Sequence, residues 1–167
     1  MTLRLSRDDV RGLLKAGRIA PADLPPDVRL MEHRGRTRSG KCADLGGLYV
    51  RSSWEANYAR WLNVMQAHGF VVAWEYEPKV FVFRGIARGC REYRPDFEVL
   101  QHDTALSGTY QHFYVEIKGY MDAKSKTRLK RMAKYYPGVR VDVIGREWFV
   151  DMERSGLAGA IPGWERL

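Results

Sequence analysis

Arg94-Pro95-Asp96-Phe97 and, a hairpin's length further on, Val115-Glu116-Ile117-Lys118-Gly119 decide how this chain is read. Both lie in runs rich in aromatic and β-branched residues, EYRPDFEVL at 92–100 and YQHFYVEIK at 110–118, with the turn-forming pair Ser107-Gly108 between them. Side chains alternate faces along a strand, so Glu116 and Lys118 project together while Val115 and Ile117 point to the opposite, apolar side. Pro95 biases Arg94 toward extended backbone and cannot donate a ladder hydrogen bond. Asp96 is therefore expected where its strand departs from regular pairing, with its carboxylate turned toward Glu116.

Two carboxylates brought together repel, and a hard divalent cation removes that repulsion while finding the anionic oxygens it needs. Magnesium is the natural occupant, with manganese as a substitute. Such an ion polarises a phosphodiester and acidifies a bound water. A cation at position 118 would orient the attacking water and neutralise charge developing on the phosphate.

Working outward, SSWEANYARWLNVMQAHG at 52–69 places Trp54, Tyr58, Trp61, Leu62 and Met65 at helical spacing, with Ser52 as cap and Gly69 as terminator. FVVAWEY, KVFVFR, EYRPDFEVL and YQHFYVEIK follow as strands and read as a meander. DAKSKTRLKRMAKYY is an amphipathic helix, and VRVDVIG is a final strand that closes the pattern. Helix, strands, helix, strand implies an α/β architecture, a mixed central sheet flanked by helices. Residues 1–46 read as an N-terminal helix capped by Ser6 plus a basic arm, 47–150 as the core, and 151–167 as a tail. The arm, EHRGRTRSGKCADLGG, lacks periodicity and fits either a phosphate-binding segment through Arg36 and Arg38 or a solvated connector. In the tail, Trp164 either packs on the core or reaches a partner subunit.

Together these segments resemble the PD-(D/E)XK nuclease core, with Pro95-Asp96 as the PD pair and Glu116-Ile117-Lys118 as E-X-K. The order SSWEANYARWL, WEYEP, YRPDF, YVEIKGY, YPGVRVDVIG is similar to phage endonuclease I-type Holliday junction resolvases and related phage endonucleases, over roughly residues 47 to 145. The resemblance implies the restriction-endonuclease-like fold, a homodimer, a preference for branched DNA, and hydrolysis by Glu55, Asp96, Glu116 and Lys118. It puts the metal at Glu55, Asp96, Glu116 and Ile117. Glu55 has a second reading, since Ser52-Ser53-Trp54-Glu55 is also a capping box.

The formal charge of +8, from 28 Lys and Arg against 20 Asp and Glu, favours a polyanionic partner. From Lys118 to Arg140 stand eight cations and one acid, Asp122. This run reads as the surface that holds phosphates of branched or double-stranded DNA, through Lys124, Lys126, Lys130 and Lys134. No apolar run approaches the roughly 20 residues of a membrane span, and the acids within MTLRLSRDDVRGLLKAG do not suit a signal peptide, so a cytoplasmic location is expected. Cys42 and Cys90 have no second thiol beside them, and the four histidines show no ligand spacing, although His112 falls near the expected site. Glu75, Glu77 and Arg94 read as solvated surface residues with a lesser option as site groups. Three activities remain open on these residues: junction cleavage, the same chemistry on flaps, forks, single strands or specific duplex, and branched-DNA binding without catalysis.

Overall fold

A computed structural model describes residues 39–103 and 108–166. The expected N-terminal helix and the arm residues Arg36 and Arg38 lie outside them. Strands β1 (Gly40–Cys42) and β2 (Leu48–Val50) form a small antiparallel hairpin. The second half of the arm, expected from its lack of periodicity to be loop, is thus partly ordered: the hairpin turns through a short 3-10 segment, Ala43–Leu45, closed by Gly46 at φ 68, a conformation in which glycine meets no Cβ penalty.

Helix α1 (Ser53–Ala67) begins where Ser52 Oγ accepts the Glu55 N–H, and the chain leaves it through Gly69 at φ 76. β3 (Val71–Tyr76), β6 (Phe97–His102), β7 (Tyr110–Ile117) and β8 (Val141–Ile144) form the central sheet in the order β3-β6-β7-β8. The first two pairings are antiparallel and β7 pairs parallel with β8. Helix α2 (Ala123–Tyr135) makes the crossover between them, capped by Asp122, whose Oδ1 accepts the Ser125 N–H at 2.6 Å. The mixed α/β architecture expected from the element order is therefore present.

The expected meander is interrupted. β4 (Phe81–Val82) and β5 (Glu92–Tyr93) pair with each other in a separate hairpin instead of joining the sheet. Their rings explain why: Phe81, Phe83 and Tyr93 pack with Tyr114 of β7 and Met132 of α2, forming a second core on that face of the sheet. On the other face Phe97, Val99, Phe113, Val115 and Ile117 pack with Tyr58, Ala59 and Leu62 of α1. Odd and even residues of β7 thus serve different cores, as strand alternation requires.

VRVDVIG does not end the fold either. Helix α3 (Arg146–Arg154) follows, with Trp148, Phe149 and Met152 facing inward, and Phe149 stacks on Trp54 at 4.9 Å between ring centroids. The folded body extends beyond 47–150 at both ends. Trp164 packs on Trp148 and Phe149, and Asn57, fully buried in α1, exchanges hydrogen bonds with the Glu165 main chain at 2.7 and 2.9 Å. Buried Arg60 joins Asp44 of the first hairpin (2.6 Å) to Glu165 (3.1 Å). Among the described residues no helix is long and apolar enough to cross a membrane.

Candidate functional site

Asp96 enters the fold at the break that Pro95 imposes between β5 and β6. Its main chain stays tied to both neighbours: the Asp96 N–H donates to Val115 O at 3.0 Å, and the Glu77 N–H donates to Asp96 O at 2.8 Å. Its side chain is buried and turned to β7, where Oδ2 accepts the Ile117 N–H at 2.7 Å. Glu116, also buried, receives the Tyr93 hydroxyl at 3.0 Å on Oε2 and the Lys118 ammonium at 3.1 Å on Oε1. Lys118 itself is anchored by its N–H to Ile144 O at the end of β8. The sheet therefore brings together Asp96, Glu116 and Lys118, the trio expected from RPDF and VEIK.

The electrostatics at this point are those of crowded acids. Burial and the charge of Glu116 push the Asp96 carboxyl up from 3.8 to about 7, with Glu55 adding to the effect, while the Ile117 N–H and Arg51 oppose it. The Tyr93 hydroxyl is raised above its ordinary range by burial and by the Glu116 carboxylate it faces.

Glu55 occupies the capping position. Oε1 accepts the Ser52 hydroxyl at 2.9 Å, and Oε2 accepts the Arg51 N–H at 3.0 Å and the Tyr76 hydroxyl at 2.5 Å. Both of its oxygens are engaged in closing the first turn of α1 onto β3. Of the two readings of Glu55, this geometry shows the cap, while its charge remains within reach of Asp96.

The chemistry of the donor set fits a hard divalent cation through a subset of the expected positions. Asp96 and Glu116 offer carboxylate oxygens, and a cation would remove the repulsion that raises Asp96. The Ile117 side chain is buried in the core, so only its main-chain carbonyl is chemically suited to join them. Among the described residues no group of three or more His, Cys, Asp or Glu side chains is arranged to hold a metal. Two carboxylates and a carbonyl suit an ion that keeps most of its water.

Around this trio stand Arg51 and Arg128, which the sequence reading passed over, and Glu77 and Arg94, which it read mainly as surface residues. Arg51, before the helix cap, places Nη2 2.9 Å from Asp96 Oδ1 and 2.6 Å from Glu77 Oε1. Glu77 also pairs with Arg94 at 3.4 Å and has φ 49, the one positive φ outside glycine among the described residues. Glu77 is thus an ion-paired neighbour of the site, a correction to its reading as a solvated edge residue, and Arg94 pairs with it rather than with Asp96 or Glu116. Arg128 of α2 lies close enough to Tyr93 to oppose a small part of the rise in its pKa, and the buried Nε of Arg128 has no hydrogen-bond partner. Its spacing from Ser125, three residues earlier on the inward face of the helix, is the signal that would have found it.

Lys124, Lys126, Lys130 and Lys134 are all exposed along α2. His112 belongs elsewhere: its Nε2 is 2.6 Å from Glu98 Oε1, and the same oxygen accepts the Tyr114 hydroxyl at 2.7 Å. This cluster lies farther along β6 and β7, so the interest of His112 as a site neighbour falls away. Cys42 and Cys90 are both free thiols. No known protein-family model matches the chain, and no curated protein matches it.

Proposed function

We propose that this protein is a divalent-metal-dependent DNA endonuclease that hydrolyses phosphodiesters at branched, four-way junctions. The observation that supports it most is the meeting of Asp96, Glu116 and Lys118 at one end of the sheet, with Lys118 Nζ 3.1 Å from Glu116 Oε1. Asp96, Glu116 and the Ile117 carbonyl are the groups suited to hold magnesium or manganese. When bound, that ion supplies Lewis acidity and an acidified water.

The protein's own groups do the rest. Lys118 is a cation beside the acids, able to hold the attacking water by hydrogen bonding and to offset negative charge on the phosphate as it becomes five-coordinate. Tyr93, donating to Glu116, fixes the orientation of that carboxylate. Arg128, with a buried N–H that lacks a protein acceptor, supports a role in holding a phosphate oxygen. Lys124, Lys126, Lys130 and Lys134 extend the positive surface along the duplex without reading bases. The preference for four-way junctions rests on the resemblance of RPDF and VEIKG, in their context, to junction-resolving phage endonucleases. A homodimer, which would place two cuts symmetrically, is part of the same proposal.

The test is cleavage of a labelled synthetic four-way junction beside matched duplex and single strand, with magnesium or EDTA, using wild type and Asp96→Asn. Paired, magnesium-dependent incisions in the junction that vanish in the variant are expected. Cutting confined to the other substrates would move the specificity. Tight binding with no incision in magnesium, nor with manganese in its place, would replace the enzyme with a branched-DNA-binding protein.

A further inference from the structure

Arg51 stands out because a permanent cation already sits on one of the two carboxylates assigned to the divalent ion. Its Nη2 bridges Asp96 Oδ1 at 2.9 Å and Glu77 Oε1 at 2.6 Å. The main chain on either side is fixed. The Arg51 N–H donates to Glu55 Oε2 at 3.0 Å, and the next residue, Ser52, caps α1. The side chain, by contrast, is 56% exposed, whereas that of Asp96 is only 7% exposed. Arg51 can therefore swing into water by side-chain rotation alone, leaving the helix cap and both cores in place.

Glu77 supports the parked position. It holds φ 49, a left-handed conformation that L side chains adopt at some cost, and its N–H is bonded to Asp96 O at 2.8 Å. Its carboxylate is the second anchor for the guanidinium, and Arg94 at 3.4 Å holds it from the other side. A guanidinium gripped by two carboxylates is a stronger arrangement than a single surface pair, because each charge-assisted hydrogen bond limits the freedom of the other.

We infer that Arg51 is a tethered counter-ion that competes with the divalent cation for Asp96, so that it sets the affinity of the metal site and leaves Asp96 when the ion enters. The inference rests on the metal reading above. Asp96 Oδ2 is committed to the Ile117 N–H, so Oδ1 is the oxygen that both cations need. With Arg51 in place the net charge at that oxygen is lowered and its lone pairs are shared. With Arg51 removed, Asp96 and Glu116 face each other without the guanidinium, and a divalent ion becomes their nearest means of neutralisation. Arg51 is thus a positioning residue, acting through Asp96 instead of on the substrate.

The experiment is Mn2+ binding to the full-length protein without DNA, followed by the loss of the free-ion electron paramagnetic resonance signal, for wild type, Arg51→Met, Arg51→Lys and Asp96→Asn, with Asp96→Asn also combined with Arg51→Met. Methionine keeps an unbranched side chain without the charge, and thermal melts check that each variant is folded. Arg51→Met is expected to bind Mn2+ about tenfold more tightly than wild type, as loss of a charge-assisted competitor predicts. Arg51→Lys should fall between the two, and Asp96→Asn should abolish the binding in either background. Equal or weaker binding by folded Arg51→Met, with Asp96→Asn still abolishing it, overturns the role of Arg51 and leaves the metal site standing. Binding that is absent, or indifferent to Asp96, in every variant removes the metal reading and this inference with it.

Discussion

The main-chain N–H of Ile117 donates to Asp96 Oδ2 at 2.7 Å, so the backbone of the E-X-K strand itself grips the acid of the P-D turn. This bond does not suffice to keep the acid ionised, because burial and Glu116 raise its pKa to about 7 against an ordinary 3.8. Relative to the unfolded chain, the fold therefore shifts Asp96 toward its protonated form. The stability associated with that preference is complete below about pH 4 and is lost as the pH rises through 7, at a rate of at most about 1.4 kcal/mol per pH unit. Without divalent metal, wild type should melt progressively lower between about pH 4 and pH 7 and level off above that, and Asp96→Asn should flatten the decline. Parallel pH profiles for the two proteins would refute the assignment. Adding Mg2+ at pH 8 should raise the melting temperature of wild type and leave Asp96→Asn unchanged.

Lys118→Met should leave the melting temperature nearly unchanged, since the side chain is 29% exposed and its partner Glu116 keeps the Tyr93 hydroxyl. Junction cleavage should drop by roughly 10²–10³-fold, the scale seen when one group that stabilises developing charge is removed. Retained cleavage would take Lys118 out of the chemistry.

The cap of α1 can be separated from the site above it. Ser52→Ala removes the acceptor of the Glu55 N–H and should cost about 1 kcal/mol. Glu55→Gln should be milder for stability, because an amide oxygen still accepts from Arg51 N–H and Tyr76. If Glu55→Gln abolishes Mn2+ binding while the helix stays intact, Glu55 is a ligand as well as a cap.

Gly119 follows the lysine and has no room to spare. A Cβ there would lie 3.2 and 3.3 Å from ring atoms of Trp54, which is itself stacked on Phe149. Gly119→Ala should destabilise the protein by about 1–3 kcal/mol through displacement of that ring, measured by urea unfolding. An unchanged midpoint would mean that the indole yields without cost.

Affinity for junction DNA should fall steeply with salt, and replacing Lys124, Lys126, Lys130 and Lys134 together with alanine should flatten the slope by up to about one unit for each lysine that contacts a phosphate. A slope unaltered by the fourfold substitution would place the DNA on another surface.

How far these features could be read in advance depends on whether a residue's neighbours in sequence are also its neighbours in space. α1 was legible because Ser52, Gly69 and the apolar spacing of Tyr58, Leu62 and Met65 are local signals. The meeting of Asp96 with Glu116 was legible because a single antiparallel pairing, β6 with β7, carries it. β4 and β5 misled because Phe81, Val82 and Tyr93 have the composition of sheet strands, and only their packing on Tyr114 and Met132 sends them elsewhere. α3 was missed for want of a side-chain N-cap at Gly145 and because nine residues give little periodicity. Arg51 gave no signal, being an arginine before a cap, and Glu77 could be named only as a lesser option, because their ion pair spans two separate connections.

β7 feeds Phe113, Val115 and Ile117 into one core and Tyr114 into the other, with Glu116 on the same alternation. A slip of one residue along this strand would drive a carboxylate into the oily layer beneath α1 and turn Phe113, Val115 and Ile117 into the second core, which Phe81, Phe83, Tyr93 and Met132 already occupy. The chain therefore has no half-correct version of itself that keeps the acid in place. The arrangement of Asp96, Glu116 and Lys118 therefore comes into being only together with the interior, and whatever chemistry depends on it would be lost as soon as the cores loosen.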